Sequence, residues 1–267
     1  MKSRYALAAV GLLACGLVLI PTLTPAVRAA EPAKPTQPGI SAEASAAVQQ
    51  MGKTLSATDF SVQARTIRVS QDNDGQLLHV FHTMKVVAHR PDRLAVHTTG
   101  DDGDNDLIYD GKTVAIFGTK ANKYARIAAP NNIEAMLDEV TERLQVDFPL
   151  ADFLDADPGK SFLSDVTSGR EVDIVTVDGK PCRHLFFSQA GGIELEVWLD
   201  KTEQAVPRRL IVTYRLLPGQ PNFIAEFSDW NFSGHPSDTE FAFKPPAGAK
   251  EVELKQIEAA PEKGRNK

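Results

Sequence analysis

Residues 130–170 read PNNIEAMLDEVTERLQVDFPLADFLDADPGKSFLSDVTSGR, and they decide the fold prediction. The first part carries apolar residues at helical spacing, so one side of the predicted helix is apolar: Ile133, Met136, Leu137, Val140 and Leu144. A second short apolar stripe follows at Phe148, Leu150, Phe153 and Leu154. Because segments with strand character lie on both sides, these stripes are predicted to cover one face of the sheet that the strands build.

The rest of the chain alternates between short strands and tight turns. Ser41 is predicted to cap a helix that precedes the strands. The predicted strands are 60–64, 76–89, 93–99, 107–109, 113–117 and 124–127 before the helical stretch, and 171–177, 182–189, 193–199, 207–216 and 223–232 after it. A further short edge strand is predicted at 241–243.

Turns as short as Asp110-Gly111, Asp178-Gly179 and Gly191-Gly192 force neighbouring strands to pair antiparallel. A sheet of this length tends to curl. We therefore expect a mainly β (α+β) fold in residues 41–250. It is a single antiparallel half-barrel of about eleven strands that encloses helices on its concave face and leaves its convex face wet.

The N-terminus has the features of a secretory signal. A basic start is followed by an apolar run from Tyr5 to Ile20, and Val27-Arg28-Ala29 places small or short residues where a signal peptidase cuts. Residues 1–29 are therefore predicted to be removed, residues 30–40 to form a Pro-rich tether and residues 251–267 a polar tail. An alternative is a lipobox at Leu12-Leu13-Ala14-Cys15, in which Cys15 would carry the lipid of a membrane-anchored lipoprotein.

Charge and cysteine content exclude several classes of function. The chain has 29 Lys and Arg against 35 Asp and Glu, and the signal holds three of the basic residues, so the mature net charge is 26 − 35 = −9. An acidic chain without a basic stripe is a poor nucleic-acid binder, so no nucleic-acid partner is predicted. The mature chain keeps only Cys182, which excludes an intramolecular disulfide.

The polar clusters do not form a reactive site. The acidic run 101–106 lacks the glycine and the terminal acid of a calcium loop. His79, His82, His89 and His97 lack zinc-site spacing, and Asp152, Asp155 and Asp157 lie where acids cap helices. No nucleophile elbow or phosphate-binding glycine loop is present. We therefore predict no enzyme, no catalytic residue, no metal and no cofactor, with a hydrolase using Asp152 or His97 as a distant alternative.

Several long blocks, in order, resemble a known family: HRPDRLAV at 89–96, DLIYDGKTVAIF at 106–117, KYARIAAPNNIEAMLDEVTERL at 123–144, FPLADFLDADP at 148–158, SDVTSGREVDIVTVDGKPCRHLFFSQ at 164–189, PRRLIVTYRLLPGQPNFIAEFSDWNF at 207–232 and FAFKPPAGAK at 241–250. The chain is similar to the predicted periplasmic family known as domain of unknown function number 2092. That resemblance implies a periplasmic protein with the half-barrel of the LolA/LolB-like lipoprotein carriers. It also implies an apolar cavity for a lipid, an acyl chain or a lipidated protein. The family has no established catalytic residues, so the resemblance implies none in this chain.

From alternation and the resemblance together, we predict which residues line the cavity: Leu94, Val96, Phe117, Leu195 and Val197 on the sheet, and Ile133, Met136, Leu137 and Val140 on the helix. The helices at 132–144 and 148–154 are predicted to act as a lid. The alternative function is an interaction or sensor module for an envelope protein partner, with the same half-barrel and a filled core.

Overall fold

The structure, a computed structural model, describes residues 39–144 and 148–253. The predicted signal peptide, most of the tether, Cys15 and most of the polar tail lie outside these residues. The helices are α1 (Ala42–Leu55), α2 (Ile133–Leu144) and α3 (Pro158–Leu163), with 3₁₀ turns at Ala151–Phe153 and Asp238–Phe241. The strands are β1 (Asp59–Gln71), β2 (Leu77–His89), β3 (Arg93–Gly100), β4 (Asn105–Tyr109), β5 (Thr113–Gly118), β6 (Lys123–Ala128), β7 (Val166–Val177), β8 (Lys180–Gln189), β9 (Ile193–Asp200), β10 (Pro207–Tyr214), β11 (Asn222–Asn231) and β12 (Lys250–Glu251).

The strands form one open sheet in the order β12-β6-β5-β4-β3-β2-β1-β11-β10-β9-β8-β7. Sequence neighbours pair through hairpin turns, and the pairing of β1 with β11 joins the two halves of the chain, with Ala64 opposite Phe227. All pairings are antiparallel except that of β12 with β6. The predicted antiparallel half-barrel is confirmed, with a twelfth strand of two residues.

Several element boundaries differ from the sequence prediction, and two of these differences change the assignment of a segment. The segment 241–243 is no strand, because Phe241 ends a 3₁₀ turn, and the last strand forms at Lys250–Glu251 instead. Strand β7 begins at Val166, so the helical block ends before residue 170. Gly169 is thus a strand residue, and its missing Cβ leaves room for the Phe187 ring, since a Cβ there would lie 2.2 Å from that ring.

The main core lies between the concave face of the sheet and the helices. It contains the inward-facing residues of all strands from β1 to β11 except β7, together with the apolar sides of α1, α2 and α3. Inward positions alternate along each strand, as Phe60, Val62 and Ala64 do on β1. The N-terminal side of α1 is capped as predicted, because Ser41 Oγ accepts a hydrogen bond from Ala44 N at 3.2 Å.

The convex face is not wholly wet, contrary to the sequence prediction. Residues of the C-terminal segment cross it, and Phe241 packs in a second small core with Val87, Ala95 and Ile108. Polar side-chain contacts also link the segment to the sheet, among them Lys85–Glu240 at 3.0 Å and Asp59–His235 at 2.9 Å. Apolar residues on the outer side of β2 to β4 are therefore buried as well.

Gly52 of α1 and Gly159 of α3 let these two helices touch. A Cβ on Gly52 would lie 2.4 Å from the backbone nitrogen of Gly159. We expect Gly52→Ala to destabilise the protein by about 1–3 kcal/mol through overpacking, although alanine is the better helix former by about 1 kcal/mol. Urea denaturation measures the change. Gly118→Ala is the control, because no atom lies within 4 Å of its added Cβ, and an equal loss in both variants would contradict the assigned contact.

Candidate functional site

Eight of the nine predicted cavity residues face the main core. On the sheet, Leu94 and Val96 are 0% and 5% exposed, and Leu195 and Val197 are 1% and 0% exposed. The four residues predicted on the helix are all buried on α2: Ile133, Met136, Leu137 and Val140. The helical stripe therefore contributes to the same apolar core as these sheet residues.

Phe117 lies on the other face of the sheet. Its ring packs against Phe243 of the C-terminal segment, with 6.1 Å between ring centroids. The inward residues of β5 are Val114 and Ile116, and side chains alternate along a strand. Phe117 therefore cannot line a space between the sheet and the helices, and the structure corrects its predicted placement.

The sheet residues of the predicted site form two separate groups. Leu94 and Val96 lie on β3, and Leu195 and Val197 lie on β9. The strand order β3-β2-β1-β11-β10-β9 puts five strand steps between the groups, or about 24 Å along the sheet at about 4.8 Å a step. The two pairs share the concave face and lie on opposite walls of the half-barrel.

Aromatic side chains tie the helical layer to the β8–β11 wall. Phe162 of α3 packs edge-on against Phe187 of β8 at 5.5 Å between ring centroids, and it stacks on Phe153 at 6.0 Å. Phe153 in turn packs against Phe227 of β11 at 5.8 Å. Leu195 is paired in register with Phe187, so the aromatic cluster lies beside the predicted β9 residues.

Arg90, at the end of β2, holds the helical layer at one end of the sheet. Its guanidinium donates to the carbonyl oxygens of Leu55 at 3.0 Å and Phe153 at 3.2 Å, and also to that of Leu154. It lies over the Phe60 ring at 5.7 Å. Burial lowers the pKa of Arg90 to about 10 while the negative charge of Asp155 opposes that shift, so Arg90 remains cationic at neutral pH.

The start of α2 is attached next to Arg90. Ile133 N donates to the carbonyl of Pro91 at 2.9 Å, and Asn132 Oδ1 accepts from Ala135 N at 2.8 Å. The Tyr109 hydroxyl donates to the carbonyl of Pro130, and burial raises the pKa of this tyrosine to about 12. The start of α2 and the end of the 148–154 segment are thus both fixed at the Arg90–Pro91 corner.

Gln189 is a polar residue of this face that the sequence interpretation did not single out. It ends the inward-facing column Leu185, Phe187 and Gln189 on β8, and it is only 6% exposed. Its register partners on both sides, Val166 and Ile193, belong to the apolar core. Its Oε1 is buried and accepts no hydrogen bond. Strand alternation could have found it, because a residue two positions after an inward Phe187 also points inward.

Three surface depressions border the helical layer or the convex face. One, of about 540 Å³, lies between the start of α2 and Leu154, and Ile133 lines it. A second, of about 750 Å³, lies between α1 and α3 at Gly52 and Gly159. A third, of about 280 Å³, lies around Phe81 on β2. None of these three is lined by Leu94, Val96, Leu195 or Val197, which pack in the main core together with the apolar side of α2.

The acidic and histidine clusters have structural partners. Asp157 caps α3 by accepting from Lys160 N at 3.1 Å, as predicted, whereas Asp155 is 2% exposed and acts electrostatically on Arg90. Three of the four histidines each pair with one carboxylate: His82 with Asp102 at 2.8 Å, His89 with Asp59 at 2.6 Å and His97 with Asp106 at 2.8 Å. Within residues 39–144 and 148–253, no group of three His, Cys, Asp or Glu side chains is placed to hold a metal ion.

The fold and the site define a class of protein: a half-barrel whose concave face is closed by helices. No helix within the described ranges is long and apolar enough to cross a membrane. The chain belongs to the family described as predicted periplasmic protein (DUF2092), whose sequence profile matches residues 44–255. That description places the protein in the periplasm and confirms the family resemblance. No curated protein matches the sequence.

Several solved structures are similar in backbone. An uncharacterized conserved protein from Thermus thermophilus is 13% identical, with 79% of this chain and 99% of that chain covered and a TM-score of 0.46. The LolA superfamily protein NE2245 from Nitrosomonas europaea is 12% identical, with 73% and 97% covered and a TM-score of 0.38. The Pseudomonas aeruginosa MucA/MucB complex gives 16% identity, 76% and 62% coverage and a TM-score of 0.42. Likeness at this level carries no conclusion about function.

Proposed function

We propose that the protein is a periplasmic binding protein for an apolar ligand, either a lipid or the acyl chain of a lipidated protein. The ligand is held between the concave face and the helices, and the protein binds without catalysing a reaction. The observation that carries this proposal is the attachment of the lid. At the start of the first lid helix, Ile133 N donates a hydrogen bond to the carbonyl of Pro91. At the end of the second lid segment, the carbonyls of Phe153 and Leu154 accept hydrogen bonds from the Arg90 guanidinium. Both lid segments can therefore swing from one corner of the sheet.

Apolar surface sets the size of the ligand. Lifting α2 exposes its four inward side chains, which each gain about 1.5–3 kcal/mol on burial, so the ligand must return about 6–12 kcal/mol. A hydrocarbon chain returns about 0.8 kcal/mol per methylene, or about 10 kcal/mol for about 12 methylenes. A long acyl chain compensates for opening the lid, whereas a short one does not.

Leu137→Ala tests the lid directly. Removing this buried side chain of α2 weakens the closed lid, so a larger share of molecules is open and binding is tighter. We expect the affinity for a fluorescent palmitoyl probe to rise about tenfold, which corresponds to about 1.4 kcal/mol. This gain is smaller than the loss of stability, because the ligand also loses its contact with the Leu137 side chain. Ile108→Ala is the matched control, because Ile108 is also buried, at 6% exposed, but in the small core under the C-terminal segment.

The outcomes separate lid opening from general loosening. Both variants are expected to lose about 2–5 kcal/mol of stability in urea denaturation, and only Leu137→Ala is expected to change probe binding. Equal changes of probe affinity in both variants contradict the lid. A wild-type protein that carries no extractable lipid and binds no acyl probe rules out the binding function itself.

A second function is supported by the filled core. The inner sheet residues are almost completely buried, and the three depressions described above do not include Leu94, Val96, Leu195 or Val197. The protein then acts as an interaction or sensor module whose outer surfaces bind an envelope protein. Native mass spectrometry of protein taken from its own periplasm distinguishes the two functions. A bound lipid supports the carrier, and a bound protein without lipid supports the module.

A further inference from the structure

Gln189 is a buried polar group in a surface that is otherwise apolar. On the inward side of β8 it follows Leu185 and Phe187, which are both 0% exposed. The register partners of Gln189, Val166 on β7 and Ile193 on β9, offer no side-chain hydrogen bond. A buried amide oxygen without a partner destabilises the ligand-free protein. Such groups are rare in folded proteins and call for a physical reason.

We propose that Gln189 is the head-group residue of the apolar site and that it binds a neutral, hydroxyl-bearing head of an acylated ligand. This inference rests on the proposed binding function and adds the chemical class of the ligand. The acyl chain lies along the β8–β9 wall in place of the Phe162 ring, which moves away from Phe187 when the site opens. Its head reaches the end of the wall where Gln189 lies. The hydrogen bond that the ligand-free protein lacks is then made by the ligand.

Geometry places the predicted ligand residues in line with Gln189. Val197 pairs in register with Leu185, Leu195 with Phe187, and Ile193 with Gln189. Gln189 lies four positions after Leu185, a length of about 14 Å at about 3.4 Å per residue. An acyl chain that contacts Val197 and Leu195 in the β8–β9 wall is thus directed at the Gln189 amide.

The hydrogen-bonding groups of the Gln189 amide and the charges around it determine which ligand head group fits. A hydroxyl both donates and accepts, so it satisfies the amide whichever of its two ends faces the ligand. A carboxylate only accepts, and it needs a cation when buried. Arg68 is placed on the concave face by its pairing with Phe223, but it lies on β1. Four strand steps, about 19 Å, separate β1 from β8. Arg215, near the same end of the wall as Gln189, is paired with Glu194 at 3.6 Å. We therefore expect a neutral head.

Competition against a fluorescent palmitoyl probe tests the inference on the full chain. The competitors are 1-monomyristoylglycerol, which carries hydroxyl groups, and methyl myristate, whose neutral head only accepts hydrogen bonds. We expect the wild-type protein to prefer the monoglyceride by about five- to tenfold, the value of one hydrogen bond. Gln189→Leu is expected to bring the two compounds within about twofold of each other, because the amide is lost and the apolar wall is kept.

The two hypotheses fail in different ways. If the probe binds and Gln189→Leu keeps the wild-type preference, the head-group role is wrong and the binding function stands. If the wild-type protein binds neither the probe nor either competitor, the binding function fails. Should Gln189→Leu not fold, Gln189→Met gives the same comparison with an unbranched side chain. Without ligand, Gln189→Leu is expected to have a melting temperature no lower than that of the wild type. A clearly lower melting temperature would show that the Gln189 side chain makes a stabilising hydrogen bond in the ligand-free protein, and it would contradict the proposal.

Discussion

Arg90→Met is expected to lower the free energy of unfolding by about 4 kcal/mol, because three carbonyl oxygens lose a charged donor at once. Hydrogen bonds to a charged group contribute about 1.5–3 kcal/mol each, and they do not add fully when they share one donor group. Because methionine keeps the apolar stem against Phe60, the lost free energy of unfolding comes mainly from the hydrogen bonds. Urea denaturation at neutral pH measures it, where the guanidinium is fully charged.

Two further variants separate geometry from charge. Arg143→Met removes a guanidinium that pairs with Glu139 on the surface of α2, a contact of about 0.3–0.5 kcal/mol. Arg90→Lys keeps the charge, but a single ammonium cannot replace the planar fork that reaches carbonyls on two segments. We expect Arg90→Lys to lose most of what Arg90→Met loses. If Arg90→Lys is as stable as the wild type, the positive charge at position 90 stabilises the Arg90–Pro91 corner, and the planar shape of the guanidinium does not.

The hydrogen-bond partners of Arg90 could not be predicted from the sequence. The pair Arg90-Pro91 predicts the end of a strand, and β2 does end at His89. The side-chain partners of Arg90 lie 35, 63 and 64 residues away in sequence. Main-chain carbonyls carry no residue-type signal, so no pattern in the sequence indicates that this arginine fixes two helical segments.

Phe117 illustrates a different limit. The alternation of side chains divides the residues of a strand between the two faces of the sheet. It shows which face points inward only when the other face is polar. Strand β5 is buried on both faces, by the helices at Val114 and Ile116 and by the C-terminal segment at Phe117. Its apolar pattern is therefore compatible with either assignment. On β3 and β9, Leu94, Val96, Leu195 and Val197 all belong to the main core, and their contact with a ligand stays a prediction.

The helical stripe of α2 was predictable because it depends on local spacing alone. Ile133, Met136, Leu137 and Val140 all turn to one side at 3.6 residues per turn, and the structure buries all four. What covers each part of the concave face was not predictable. The aromatic contacts on the β8–β11 wall join residues of the helical block to strands that follow it in the chain. Only the register of those strands brings the rings together.

Phe162→Ala is expected to destabilise the protein by about 3–5 kcal/mol, because Phe162 is 2% exposed and lies between two other rings. Removing it leaves a cavity beside Phe187 and takes away the ring on which Phe153 stacks. The protein then loses the contact that holds α3 to β8. Thermal and urea denaturation measure the loss.

Phe81→Ala is the matched control for that variant, since the same ring is removed from a residue that is 48% exposed. Its expected cost is below about 1 kcal/mol, because surface substitutions rarely change stability by more than about 0.5 kcal/mol. A small loss in Phe162→Ala, comparable to that of Phe81→Ala, shows that the helical layer detaches from the β8–β11 wall at little cost. That wall, and not the α2 side, is then the part of the half-barrel that opens.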